Sequence, residues 1–347
     1  MKSNIKFFNN DEGVSPIVAT LVLIVVAIIG AAAVGLIMSS FSSNVANQAN
    51  NGNTAGASST TITIAGSTSM YPVINTLAGY YTTNNTGVKI SVSSGGSGAG
   101  YVSAAKGYAD IGMISEAMES VYTSKYPNLK AYQVGESGVV FAASPGYVTA
   151  GGLGLAAATP LTYADLVGAY SANAAYTEKD GTTKVTVVYD RSDISGTQDT
   201  AMSFLGTPTL GTIVSPQSGN DGVEGKLAAD KAVVSIGILD SDYAFGSAPV
   251  AAGIKALVIT DAAGATSDPG ANAANVISEI KNNNGKYASG LVRPLNFITN
   301  GQPSSLVQGF INYVEQPGNT VDPKANQNAF AAAFQVHVSQ VNAAFLA

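Results

Sequence analysis

The chain has 347 residues, a formal net charge of -6 and only 11% charged side chains. A surface this sparsely charged and acidic points away from a nucleic-acid partner, which needs a basic face to neutralise phosphates. The absence of cysteine excludes disulfides and thiolate metal sites. The length suffices for one large or two medium domains.

The first feature along the chain is apolar. Ile17 to Met38 reads IVATLVLIVVAIIGAAAVGLIM, 22 residues without a charge, enough to cross roughly 30 Å of hydrocarbon as a helix. Lys2 and Lys6 precede it, and no charge of either sign occurs between Glu12 and Lys89. Positive charge ahead of the helix orients that end to the cytoplasm and places the rest outside the cell. A cleaved secretory signal fits less well, because the apolar core runs too long. The reading is a single-pass membrane protein with a transmembrane helix over residues 14–41 and an extracellular C-terminal domain. Ser39 to Thr60 is polar and rich in Gly, Ser, Asn and Ala. As a flexible coil it spans about 25 Å root-mean-square, so residues 42–60 read as a tether.

From Thr61 onward strands alternate with helices. Strands are expected at Thr61–Ala65, Val88–Ser94, Ala109–Met113, Gly138–Ala143, Val185–Tyr189 and Ala232–Ile238. Helices are expected over residues 71–84, 101–107, Tyr163–Tyr170, Gln198–Leu205 and Ser304–Glu315. This alternation predicts an α/β architecture with mostly parallel sheets. The single histidine, His337, sits in an apolar segment and is assigned no role.

Three segments share one local design: a strand end, then small hydroxyl and glycine residues, then a helix start. They are AGSTSMYP (65–72), SSGGSGAGY (93–101) and RSDISGTQD (191–199). Free backbone N–H groups and the helix dipole make such a start an anion nest, glycine allows close approach, and hydroxyls add neutral donors. A serine or threonine there is most often only a helix cap, so the expectation rests on the three converging. GGSGAG lacks the spacing of a dinucleotide fingerprint and is not read as one. Arg191, in the third segment, could do no more than pair with Asp193 at the surface. No nucleophile–base pair or metal-ligand cluster is visible, so the reading is a binding protein, not an enzyme, with no cofactor and no metal.

Two resemblances add to this. At NNDEGVSPIVATLVLIVVAIIG the chain resembles archaeal type IV pilin-like precursors with a class III signal. The resemblance implies a leader of residues 1–13, cut by a prepilin peptidase between Gly13 and Val14. VSPIV lacks the glutamate of many bacterial pilins, so anchoring without filament assembly suffices. The segment RSDISGT (191–197) matches the R-x-D-x-S-G-T pattern of periplasmic phosphate-binding proteins of phosphate ABC importers. AGSTSMYP, GGSGAG and ADIGMISEAM (109–118) are similar to their three phosphate loops. GNDGVEGKLAADKAVVSIGI (219–238) and RPLNFITNGQPSSLVQGFINYV (293–314) extend the similarity.

That second resemblance implies a two-lobed periplasmic-binding-protein-like (type II) fold, preceded here by the transmembrane helix. The lobes are expected at about 61–141 plus 265–347, and about 142–264. The implied phosphate ligands are Thr68, Ser69, Ser97, Ser115, Arg191, Ser195, Gly196 and Thr197. Arg191 is the single cationic donor, held by Asp193. Where many family members carry an aspartate that accepts the proton of phosphate, this chain has Ser115 followed by Glu116, read as a solvated acid. The implied function is membrane-tethered capture of phosphate for an ABC permease. The rivals are a pilin-like surface filament subunit and a receptor for sulfate, molybdate or tungstate.

Overall fold

The computed structural model describes residues 60–346. The leader with Gly13 and Val14, the apolar helix and all of the tether but Thr60 lie outside the described residues. No helix among the described residues is long and apolar enough to cross a membrane.

The elements that position the site are β1 (Thr61–Gly66), α1 (Tyr71–Asn84), β2 (Lys89–Ser94), α2 (Ser97–Lys106) and β3 (Ile111–Ile114). After them come the long β4 (Leu129–Ala143), α3 (Tyr163–Ser171), β5 (Val187–Arg191), α4 (Gly196–Phe204) and β6 (Val214–Gln217). The last are α5 (Gly219–Ala229), β7 (Ser235–Asp240), β8 (Val292–Asn300) and α6 (Ser305–Glu315). Sequence chemistry explains them. In α1 a proline occupies the first turn, and Val73, Ile74, Leu77, Ala78 and Tyr81 recur at helical spacing to form the buried stripe. β3 and β7 are buried along their whole length and read as short apolar runs.

The strands are ordered β2-β1-β3-β8-β4-β7-β5-β6. β1 pairs in parallel with β2 and β3, and β5 pairs in parallel with β6 and β7. Between these parallel ladders the pairings are antiparallel: β8 with β3 and β4, and β4 with β7. The expectation of mostly parallel sheets therefore holds only within each end of the sheet. The strands that join the ends run against each other.

Among the described residues two large apolar cores lie at the two ends, with a smaller cluster around Tyr101, Ile114 and Ile298. One gathers Ile62, Ile64, Leu77, Met113, Val134, Phe297 and Phe310. The other gathers Val139, Phe141, Leu166, Val188, Ile236 and Ile238. β4 passes from the first core at Val134 to the second at Val139, so the architecture is two-lobed with β4 and β8 crossing between. One boundary differs from expectation. Residues 266–291, placed by sequence in the first lobe, set Ala273, Val276, Ile280, Tyr287 and Leu291 in the second core. The chain returns to the first lobe only at β8, because these apolar side chains face the back of β4 and not the first core.

Glycine brings the first three loops together. A Cβ on Gly100 of α2 would lie 2.2 Å from the Met113 carbonyl oxygen, and one on Gly112 would lie 2.3 Å from the Gly100 carbonyl. Gly66, at φ +140°, abuts the same Met113 oxygen. Helix and sheet thus meet backbone to backbone, where no side chain fits. Gly100→Ala should force β3 and α2 apart, cost about 1–3 kcal/mol, and lower the midpoint of thermal unfolding by several degrees. A midpoint within a degree of the parent would show that the contact is not tight.

Candidate functional site

The loop tips expected to converge do so. Thr68, Ser69, Ser97, Ser115, Arg191, Ser195 and Thr197 are all buried, and hydrogen bonds link them across the lobes. Thr68 and Ser69 end the loop between β1 and α1, Ser97 opens α2, and Ser115 follows β3. From the other lobe, Arg191 ends β5 and Thr197 lies in the first turn of α4.

Arg191 is not at the surface. Its Nε and one terminal nitrogen grip both oxygens of Asp193 at 2.9 and 2.6 Å, the bidentate geometry that a planar guanidinium favours. The same terminal nitrogen reaches Thr68 Oγ1 at 3.2 Å in the opposite lobe, and the other reaches Thr197 Oγ1 at 3.4 Å. Asp193 also accepts from the amide of Gly219 at 3.1 Å, which fixes its carboxylate.

Arg191 is not the single cation. Arg293, in the crossing strand β8, is fully enclosed. It donates to the Ser115 carbonyl and hydroxyl oxygens, both at 2.7 Å, and to Ser69 Oγ at 2.8 Å. It also pairs with Asp240 at the end of β7, and Ser137 of β4 donates to both oxygens of that aspartate at 2.8 and 2.9 Å. Arg293 stands opposite Ser137 in the β8–β4 register. The second guanidinium therefore sits where the chain crosses between lobes.

Asn220 is a second residue that sequence reasoning did not select. Its amide nitrogen donates to Thr68 Oγ1 at 3.2 Å and Ser69 Oγ at 3.0 Å, while its oxygen accepts from the Asp240 amide at 3.3 Å. The signal was present: QSGND (217–221) repeats the strand end, small residues and helix start of the other three segments.

These bonds have a chemical consequence. Arg and Asn nitrogens only donate, so each hydroxyl they touch must accept. Thr68, Ser69, Ser115 and Thr197 each accept from a side-chain N–H, and Ser97 Oγ accepts from the Ser115 amide at 3.2 Å. In each of the contacting pairs Ser97–Ser115 and Ser69–Thr197 one hydroxyl gives its proton to the other, so three hydroxyl protons remain, one from each pair and one from Thr68. The five hydroxyls thus gather into one buried cluster whose remaining protons suit a small group that only accepts. The two guanidinium charges are matched by Asp193 and Asp240, so what the arrangement offers a ligand is local dipoles and not a broad positive field.

Two expected residues have other tasks. Ser195 Oγ caps α4, accepting from the amides of Thr197 and Gln198 at 3.2 and 3.4 Å. Gly196 is a point of contact between lobes: a Cβ there would lie 2.2 Å from the Ser115 carbonyl and 2.8 Å from Glu116 Oε2. Glu116 is not solvated. It is buried, with neither carboxylate oxygen meeting a donor, and desolvation, with Asp199 and Glu119 nearby, pushes its pKa up to about 9. Glu116, Glu119 and Asp199 form a carboxylate cluster that their separation in sequence concealed. His337 is buried, its Nε2 at 2.7 Å from the Val314 carbonyl, in keeping with a packing role.

A cleft of about 850 Å³ lies between α1 and residues 242–249 and 319–334, lined in part by Thr76, Tyr80, Glu224, Asp242 and Tyr243 and by none of the five hydroxyl residues. Tyr243 Oη donates to the Thr68 carbonyl at 3.5 Å, which links the cleft to the site.

Comparison with solved structures gives the same fold. A protein from Clostridium perfringens, described as a phosphate ABC transporter substrate-binding protein and solved with bound phosphate, superposes with a TM-score of 0.62 at 20% identity, over 80% of this chain and 99% of its own. An ABC-type phosphate transport receptor from Vibrio cholerae gives 0.56 at 18% identity, over 79% and 99%. A high-affinity periplasmic phosphate-binding protein, PfluDING, bound with phosphate, gives 0.58 at 17% identity, over 82% and 91%. Among curated proteins none matches. The PBP superfamily domain matches residues 51–316, well over half of the sequence, and the chain belongs to that superfamily.

Proposed function

We propose that the chain is a substrate-binding protein that captures inorganic phosphate between its two lobes and delivers it to an ABC permease. The observation that carries this reading is the buried cluster of five hydroxyls, each accepting from a fixed nitrogen, so that their protons are shared only among themselves or given to an anion. Two enclosed guanidinium groups complete it. The structural neighbours bearing phosphate-transport names support the same reading. The apolar run over residues 17–38 supports a tether holding the domain outside the cell membrane, with the resemblance to pilin-like precursors implying cleavage after Gly13.

One feature favours a second ligand. Phosphate at neutral pH carries a proton, which an acceptor in the site would recognise. Here the position after β3 is Ser115, whose oxygen is engaged by Arg293. A site of donors only distinguishes phosphate poorly from sulfate, which has no proton to place. Calorimetry of residues 60–347 against phosphate, sulfate and molybdate tests both readings. Saturable binding of phosphate is expected, with sulfate competing within about tenfold, a difference of ~1.4 kcal/mol. Failure of all three anions to bind would remove the proposal.

A further inference from the structure

Beside the hydroxyl ring lies a group that oxyanion capture does not use. Glu116 and Glu119 follow β3 in the first lobe, and Asp199 lies in the first turn of α4 in the second. One carboxylate oxygen from each lies within 4.8 Å of the other two. The joint is close: Gly196, three residues before Asp199, packs against the Ser115 carbonyl and Glu116 Oε2 with no room for a methyl group.

Acid clusters on surfaces are common and need no ligand. Here Glu116 is only 7% exposed, and both its oxygens lack a hydrogen-bond donor while facing the other two acids. The nearby guanidinium of Arg293 does not supply one: its terminal nitrogens are occupied by Ser115, Ser69 and Asp240, and its Nε meets no acceptor. Three carboxylates this close, one of them shut from water, repel one another unless a proton or a cation lies between them. Below its pKa of about 9 Glu116 carries a proton that lies between it and its two neighbours, and Glu119 and Asp199 remain as two negative charges that a divalent cation would balance. A cation with bonds of about 2.3–2.6 Å, as calcium makes to oxygen, bridges three oxygens at this spacing. The set is oxygen only, which suits a hard ion. Asp199 is exposed and Glu119 half-buried, so water has access to complete the six to eight oxygens that calcium takes.

We propose that Glu116, Glu119 and Asp199 bind one calcium ion across the lobe joint, and that this ion strengthens closure over the anion. The second half rests on the oxyanion reading above; the first does not. Ligands from both lobes meet only when the lobes are together, so the ion favours the closed state. The ion would also offset the repulsion between three carboxylates and an anion held at Ser115, the neighbour of Glu116. Linkage makes the coupling reciprocal: the anion must raise calcium affinity by the same factor.

The test titrates the chelator-stripped full-length chain with calcium chloride by calorimetry, at neutral pH and low salt, and repeats it with magnesium chloride. One calcium per chain is expected, with a dissociation constant of roughly 10⁻⁴–10⁻³ M, weaker for magnesium. Asp199→Asn and Glu119→Gln should each weaken it about tenfold or more. Inorganic phosphate, titrated at micromolar concentration with and without calcium, should bind about fivefold or more tightly with the ion in the parent chain and equally in Asp199→Asn. No saturable calcium uptake, or uptake unchanged in both variants, overturns the proposal. A phosphate affinity that follows pH but ignores calcium also overturns it and assigns the cluster to protons. Calcium uptake without any anion binding keeps the ion site and discards the oxyanion reading. Anion binding without calcium uptake does the reverse.

Discussion

Arg293→Met should cost the fold about 3–5 kcal/mol, the usual consequence of stripping one partner from a buried ion pair. It should also abolish oxyanion binding. The guanidinium lies among Ser115, Ser69 and Asp240, with no water at hand to replace it. Without it Asp240 keeps its bonds to Ser137 but loses its counter-charge. Asp242 already feels the strain of that position: burial first, and then Asp240, hold its carboxyl well above the usual range. Two effects are therefore combined in one substitution, and a second variant separates them. Arg293→Met with Asp240→Asn removes the uncompensated charge and should recover much of the stability, while anion binding stays lost because Ser69 and Ser115 no longer accept from a cation. Denaturant unfolding and calorimetry on the pair of variants check this. A single variant as stable as the parent would show that the Arg293–Asp240 pair does not hold the crossing strands.

How much of this was legible in sequence follows from where each signal originates. Elements built on local pattern were close to their observed bounds, as in α1 at Tyr71–Asn84 and α6 at Ser305–Glu315, because each carries its own apolar stripe. α2 begins at Ser97, four residues before the expected helix. Its opening SGAG reads as a turn, and the glycines are there because Ile194 leaves no space for a Cβ at Gly98 and Met113 of β3 none at Gly100. β4 starts at Leu129 and not Gly138. Its first half carries polar residues, since it crosses between lobes and is buried by pairing more than by packing. β8 was not expected as a strand, because Pro294 argues against one. Pro294 stands opposite Glu136 of β4 but outside the stretch of β8 that pairs with β3, which begins at Asn296, so the strand is an edge on that side at the proline. Of the site, the hydroxyl segments were visible because helix starts have a local signature. Arg293 and the Glu116–Asp199 approach were not, since each depends on strands far apart in sequence meeting at the lobe joint.

Arg191→Ala should separate recognition from stability more cleanly. The partner it abandons, Asp193, is 18% exposed at its side chain and keeps the Gly219 amide, so the fold should lose only about 1 kcal/mol. The site loses more. Arg191 is the cation that joins the lobes at the hydroxyl ring, touching Thr68 on one side and Thr197 on the other. Its removal frees both hydroxyls to turn their protons elsewhere, and it subtracts a charge from an enclosed place where water does not screen it. A single charged hydrogen bond contributes about 1.5–3 kcal/mol. Loss of the charge together with the orientation of two donors should exceed that, so phosphate affinity should fall by about 100-fold or more. Arg191→Lys should recover only part, because an ammonium cannot hold both oxygens of Asp193 while reaching Thr68 and Thr197. Calorimetry with phosphate on the three proteins gives the order parent, lysine, alanine. Equal affinity in parent and alanine variant would place Arg191 outside the binding site and reduce its pairing with Asp193 to a structural contact.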